Sequence, residues 1–325
     1  MLIREPLNPV LHRFLSHMRG LLFLRRSLGL HCREYGKPDK RETHDASFAY
    51  IGEGESLSYL EELYFNRSKI ETSATISLLS LTKAVGHLIS EDRFIFVEID
   101  RLLSFLIPRD FLLTFPWIRQ KVRLKGDAYL ARKQKISATF GRKVRKYGYT
   151  SRMTRDRRAV LRFYDKFYVP YISSRFQELC FLRSIREFQS AVESGFLLQV
   201  YDGKRWVSGA ICQVRGKSIS VLAFGVHSQH MDLLKHGVLS SAYYFIFDWS
   251  EKAGLETVDL LRSRAHAADG VYEHKRRWGA LAEMDPWVHT AIWIFVPESA
   301  MIPPMLESQL IWHGDQFLEL KSIYT

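Results

Sequence analysis

Cysteine is scarce and poorly placed for pairing. Cys32, Cys180 and Cys212 are the three in 325 residues, and they lie far apart with no C-x-x-C spacing. That argues against a disulfide framework or a thiolate zinc site; Cys212, alternating with apolar neighbours, reads as a small buried residue. Long apolar runs are missing as well. None approaches the roughly 18 residues that a bilayer crossing needs, and Gly20-Leu21-Leu22-Phe23-Leu24 is too short for a signal-peptide core. The expectation is a reduced, cytoplasmic protein with no transmembrane segment. Also absent are a Walker loop, a Rossmann glycine fingerprint, metal-ligand spacing and a Ser-His-Asp context. ATPase, dehydrogenase and hydrolase readings fall away with them, and no metal is expected.

Acidic residues nearly vanish from one segment. Between Arg119 and Arg162, sixteen Lys and Arg stand against Asp127 and Asp156, a net +14 in a chain whose total is +12. One basic surface therefore dominates the field and should attract phosphates: CoA, a nucleotide-linked substrate, tRNA or an anionic membrane. The plainer alternative is a solvated helix face. Few aromatics interleave these charges, which weakens the case for a single-strand stacking platform.

What is present suits two medium-sized domains with substantial cores. From Leu11 the residues Phe14, Leu15, Met18, Leu21, Leu22 and Leu28 recur near helical spacing among arginines. Residues 11–30 thus read as a basic amphipathic helix able to touch a membrane peripherally or to dock on its own domain. Residues 34–46 read as a loop. A strand at Phe48–Ile51, a helix from Ser56, an apolar stretch from Ile76, a strand at Phe94–Ile99 and a helix near Asp100 follow. Leu130 to Tyr147 can form one helix ended by Gly148, and helices over residues 158–171 and 178–193 come next.

Residues 203–279 carry the clearest order: hairpin, strand, long helix, strand, short basic helix. Trp206 to Val214 turns at Arg215-Gly216-Lys217 into Ser218–Val226 with period two. Val238, Leu239, Ala242, Phe245, Ile246 and Trp249 then share a helical face before Ala253-Gly254. Glu256–Leu261 returns as a strand, Asp269–Gly279 as a helix, and Trp287–Val296 as a last strand. The tail from Pro297 reads as a loop before a short terminal segment.

That order, with Phe224-Gly225-Val226 and the downstream Asp269-Gly270-Val271-Tyr272-Glu273-His274-Lys275-Arg276-Arg277-Trp278-Gly279, resembles the GNAT superfamily of acyltransferases and its FemAB-like, BioF2-like branch. The likeness spans roughly residues 115–296. It implies an α/β (α+β) GNAT-like fold, with a mixed, mostly antiparallel sheet flanked by helices. It also implies an N-terminal segment over 1–45, a reduced first GNAT-like half over 46–150, a catalytic half over 151–300 and a tail over 301–325. Implied too are a donor bound between two splayed strands over a helix N-terminus, with acyl-CoA the default donor and aminoacyl-tRNA the alternative.

The candidate site residues follow. The turn Lys235-His236-Gly237, before the long helix, suits a phosphate, because helix N–H groups and the dipole favour anions there. It keeps only one glycine of the resembled family's turn. Together with Phe224, Gly225 and Val226 it forms the donor-binding set. Lys275 shares a face with Val271 and Trp278, and an ammonium on an apolar face needs a partner or a task. Neutralising charge that grows on the acyl carbonyl or on a leaving phosphate is its expected role, a snorkelling lysine the alternative. Tyr272 is a candidate general acid, and Asp259, His266 and Asp269 are candidate bases, with helix capping the competing role for Asp269. Arg262 and Arg264, after a strand end, and Arg142, Arg145 and Trp278 complete the substrate set.

The functional expectation is an N-acyltransferase. It moves an acyl group from acyl-CoA to an amine of a small molecule or a cell-envelope or polysaccharide precursor, by direct attack. The alternatives are a Fem-type aminoacyl transferase and a catalytically silent module that binds RNA or membrane through its basic segment.

Overall fold

The computed structural model describes residues 29–36, 46–65, 70–176 and 182–324. Most of the amphipathic segment expected over 11–30, part of the 34–46 loop and Cys180 lie outside the described residues. The chain divides into two compact units. The first comprises residues up to Ile118 with Arg264–Tyr272 and Met284–Thr325, and the second comprises Arg119–Ser263 with Glu273–Glu283.

In the first unit, β1 (Leu30–Tyr35), β2 (Phe48–Gly52), β3 (Ile70–Ile76), β4 (Phe94–Asp100) and β5 (Leu112–Thr114) form a sheet with one late strand, β13 (Thr290–Phe295). The order is β3-β1-β2-β4-β13-β5, with β2 and β4 parallel. Every residue of β4 is buried, as suits the apolar run Phe94 to Val97, and the burial extends to Glu98 and Asp100 as well. The core is aromatic: Tyr35, Phe48, Tyr64, Phe65, Phe94 and Phe96 are all buried in one cluster. β1 was not legible, because Arg33 and Glu34 break its apolar pattern. In the fold, Arg33 Nη1 donates to Glu61 Oε1 at 2.7 Å, which makes a charged residue tolerable in that strand. The last strand, expected over Trp287–Val296, forms over Thr290–Phe295 and joins this sheet between β4 and β5 rather than closing the other one. The expected tail loop contains a hairpin of β14 (Leu310–His313) and β15 (Gln316–Glu319), turning at Gly314 with φ +63°.

The second unit holds β6 (Ile118–Arg123), β7 (Tyr149–Thr154), β8 (Gly195–Asp202), β9 (Arg205–Arg215), β10 (Ser218–Val226), β11 (Thr257–Ser263) and β12 (Leu281–Met284). Their order is β12-β6-β11-β10-β9-β8-β7. Strands β7 to β10 are antiparallel, whereas β10 and β11 are parallel, joined across the Val238–Lys252 helix. Mostly antiparallel strands, one parallel crossover and flanking helices make up the expected GNAT-like arrangement. Gly216 takes φ +56° in the β9–β10 turn, which explains a glycine there. The basic stretch is helical over Asp127–Ile136 and Arg142–Tyr147, with a wider turn at Ser137–Gly141, and Gly148 (φ +65°) stops it. Ile136 and Val144 point inward and the basic side chains outward, so a helical period underlies a sequence that reads as a charge run.

Candidate functional site

The site begins where β10 and β11 part. They pair only from Ser218–Ser220 to Thr257–Asp259, and immediately afterwards β10 bulges between Val221 and Ala223 against β9. A bulge adds a residue to one strand and bends it, so β10 stays with β9 and leaves β11 beside β6. On the other side of the gap, Leu261 has φ +61°, a left-handed conformation that costs a branched residue about 1–2 kcal/mol.

That strained segment is held from both ends. Asp259 Oδ1 accepts from Leu261 N at 2.9 Å, and its Oδ2 takes the Arg119 guanidinium at 2.6 and 2.7 Å. Lys275 Nζ donates to Arg262 O at 2.7 Å and Ser263 Oγ at 3.0 Å, with Leu261 O at 3.5 Å. Ser263 Oγ in turn donates to the buried Gln120 Oε1 at 2.6 Å. Lys275 is therefore a buried cation whose ammonium sits on backbone carbonyls at the end of β11. Asp259 has both oxygens engaged, and it anchors the strand rather than standing ready as a base.

Aromatic rings fill the space next to the gap. Phe224 of β10 stacks on Tyr243 at 4.0 Å, Tyr243 on Trp278 at 5.1 Å, and Trp278 on Phe140 of the basic segment at 4.2 Å. Trp278 is fully buried, so this predicted substrate contact is a core ring. Gly225 serves packing too: a Cβ there would stand 2.8 Å from the Phe167 carbonyl carbon and 2.9 Å from Tyr168 N. Val226 is buried in the same core.

His274 was not singled out from the sequence. Its ring meets Tyr243 edge-on at 4.9 Å, and its Nε2 is buried without a hydrogen-bond partner among the described residues. Burial, then the charges of Arg175, Arg277 and Lys275, push its pKa down to about 4, so the ring is neutral near pH 7. The only hint in the sequence is its i, i+4 spacing to Trp278.

The expected anion turn lies at the start of the Val238–Lys252 helix. A tight turn over Ser228–His236 leads into Gly237, which takes φ +82° and caps the helix without a side-chain acceptor. First-turn helix N–H groups have no intrahelical partner. The basic segment meets this turn: a Cβ on Gly237 would touch Lys143 Cδ at 3.0 Å, and Tyr147 stacks on His236 at 4.9 Å. Lys146 Nζ lies 5.3 Å from the Tyr147 ring centre. Lys143, Lys146, Lys235 and the helix terminus thus make one electropositive spot. Arg142 and Arg145 are exposed on the same helix, and Arg142 Nε donates to Ala138 O at 3.0 Å. Arg262 is exposed.

The other predicted residues belong to the first unit. His266 is buried, with Nε2 3.0 Å from Met305 O. Asp269 Oδ1 accepts from Val271 N at 3.0 Å and Tyr272 N at 2.8 Å, the capping alternative. Tyr272 is buried, and the Arg264 guanidinium lies against the rings of Tyr59 and Trp117. The boundary between the units falls within the Gly270–Arg277 helix, so Tyr272 is counted with His266 and Asp269 in the first unit and Lys275 with Asp259 in the second, although Tyr272 and Lys275 share that helix. Among the described residues, no group of three His, Cys, Asp or Glu could hold a metal ion, and no helix is long and apolar enough to cross a membrane.

No family model and no curated protein matches the sequence. Solved structures do align with the chain. L-PGS from Bacillus licheniformis is 11% identical, covers 93% of this chain and 96% of its own, and gives a TM-score of 0.39. FemX is 11% identical over 84% of this chain and 90% of its own, also at 0.39. The ribosomal-protein-S18-alanine N-acetyltransferase from Escherichia coli is 17% identical over 48% of this chain and 97% of its own, at 0.32.

Proposed function

We propose that the second unit is an acyl-group transferase of GNAT-like design that takes the acyl group of acyl-CoA and passes it to an amine by direct attack. One observation carries the reading. A parallel strand pair opens at a bulge, one lip is strained at Leu261, and the helix between the strands starts at a left-handed glycine beside Lys143 and Lys235. The opened strands expose backbone polar groups that a donor can pair with, and the helix start suits its phosphate. Lys275 keeps the β11 lip in place, and its charge stabilises the carbonyl oxygen as it becomes negative. His274 offers a neutral ring nitrogen beside the Phe224–Tyr243 stack. The acceptor is a small-molecule amine or an amine on a cell-envelope or polysaccharide precursor.

A second reading takes aminoacyl-tRNA as donor. The single glycine of the turn and the basic helix laid over it favour this, since a polyanion meets more of that surface than one pyrophosphate does.

Thermal unfolding separates the two. A true donor at about one hundred times its Kd should stabilise the chain by about 2.7 kcal/mol. Acetyl-CoA, a long-chain acyl-CoA and charged tRNA are the three arms, followed by transfer of labelled acyl group to added amines. A shift with an acyl-CoA and turnover lost in Lys275→Ala support the first reading, and a shift with charged tRNA alone supports the second. Binding without turnover from any donor would leave a silent binding module.

A further inference from the structure

We infer that Arg264 and Glu98 of the first unit form a receptor for a small zwitterion, a ligand that carries a carboxylate or phosphate close to a primary ammonium. The inference does not depend on the transferase reading.

The Arg264 guanidinium lies 4.1 Å from the ring centre of Tyr59 and 3.9 Å from that of Trp117. Both rings lie within cation–π reach of the guanidinium, whose planar N–H groups form a rigid fork that fits carboxylate or phosphate oxygens two at a time. Among the described residues this guanidinium makes no hydrogen bond or ion pair. Burial lowers its pKa even though Tyr59, Asp269, Glu98 and Glu62 act in the opposite direction. A desolvated cation without a bonded counter-ion is costly, so an anion supplied from outside resolves the cost. Trp117 is 36% exposed, so the rim of the site is open to solvent.

Glu98 supplies the complementary half: Ser56, whose N–H reaches its carboxylate, is the N-cap of the Leu57–Leu60 helix, and that helix carries Tyr59, one of the two rings against Arg264. It is fully buried on β4, and its Oε2 is occupied, accepting from Tyr50 Oη at 2.5 Å and from Ser56 N at 3.0 Å. Its Oε1 is buried with no hydrogen-bond partner among the described residues. Leaving such an oxygen unpaired costs the desolvation of the group, so a donor belongs there. Negative charge is in surplus around it: burial and then Glu98 raise the pKa of Glu55. These carboxylates would repel a simple dianion, and Arg264 would repel a simple diamine. A ligand with both charges satisfies both groups.

Titration calorimetry on the full chain tests the assignment with glycine, L-lysine and phosphoethanolamine as zwitterions and with acetate and methylamine as single-charge controls. Saturable binding of a zwitterion near about 1 mM, with each control about tenfold weaker or worse, is the expected result. The stronger zwitterion arm tells a carboxylate source from a phosphate one. Arg264→Gln should abolish the binding, and Arg264→Lys, which keeps the charge and loses the fork, should weaken it about tenfold even if the first variant folds poorly. Glu98→Gln should erase the preference for a zwitterion over acetate. The assignment is overturned if no zwitterion binds, if acetate binds as well as glycine, or if Arg264→Lys binds like wild type.

Discussion

At the scale of single residues, Lys275 and His274, two of the four basic side chains of the Gly270–Arg277 helix, behave differently because their surroundings differ. Lys275 is buried but finds two carbonyls and a hydroxyl, whereas His274 is buried against an aromatic ring and surrounded by cations. Its pKa falls from an ordinary value of about 6.5 to about 4 in the folded state. Between those values the unfolded chain binds the extra proton, so His274 makes stability fall as the pH drops from 6.5 toward 4 and has no such effect above 6.5. Melting temperature against pH should therefore be flatter on the acid side in His274→Phe than in wild type; parallel curves would show that this ring does not titrate so low. Lys275 was legible from its apolar face, and its partners were not, because they are two main-chain carbonyls and a serine hydroxyl at the end of a strand 12 to 14 residues away in sequence.

At the scale of elements, Gly237 joins a tight turn to a long helix. Its φ of +82° and the nearby Lys143 side chain both resist a Cβ. Gly237→Ala should destabilise the second unit by about 1 kcal/mol or more. It should also weaken phosphate-bearing ligands more than the stability loss accounts for, because the helix start moves with it. Donor titrations on the folded variant check this; unchanged affinity would remove the helix start from the site. The glycine itself stood out in the sequence, as did Gly216 and Gly148. The bulge in β10 did not, since Val221-Leu222-Ala223 alternates as an ordinary strand does and only pairing with β9 exposes the extra residue.

Across the whole molecule, the basic stretch is less uniform than its composition suggests. Lys121, Lys125 and Lys133 pair with Glu283, Glu256 and Glu251, carboxylates far away in the sequence, while Lys143 and Lys146 face the start of the Val238–Lys252 helix. Binding of a polyanion such as tRNA should weaken steeply with salt, the logarithm of affinity falling by about 0.7–0.9 per phosphate contact for each unit in log salt. Charge removal at Lys143 and Lys146 together should lower that slope by about two contacts, whereas removal at Lys121 and Lys125 should leave it unchanged. Filter binding at several salt concentrations distinguishes the pairs, and equal slopes in both double variants would mean that the whole stretch acts as a diffuse field.

The sequence alone determined the features that depend on neighbours along the chain. These were the β9–β10 hairpin, the long helix and return strand, the glycine stops, the strand at β4 and the basic helix, and with them the GNAT-like order of the second unit. Tertiary structure decided what depends on residues distant in the chain. It assigned Thr290–Phe295 to the first sheet, tied Asp259 to Arg119, buried Trp278 in a stack, and put Glu98 and Arg264 in the same unit. Backbone propensity and side-chain period are local properties, readable from a window of residues. Partners for a buried charge, and the sheet that a strand joins, are settled only when the chain closes on itself.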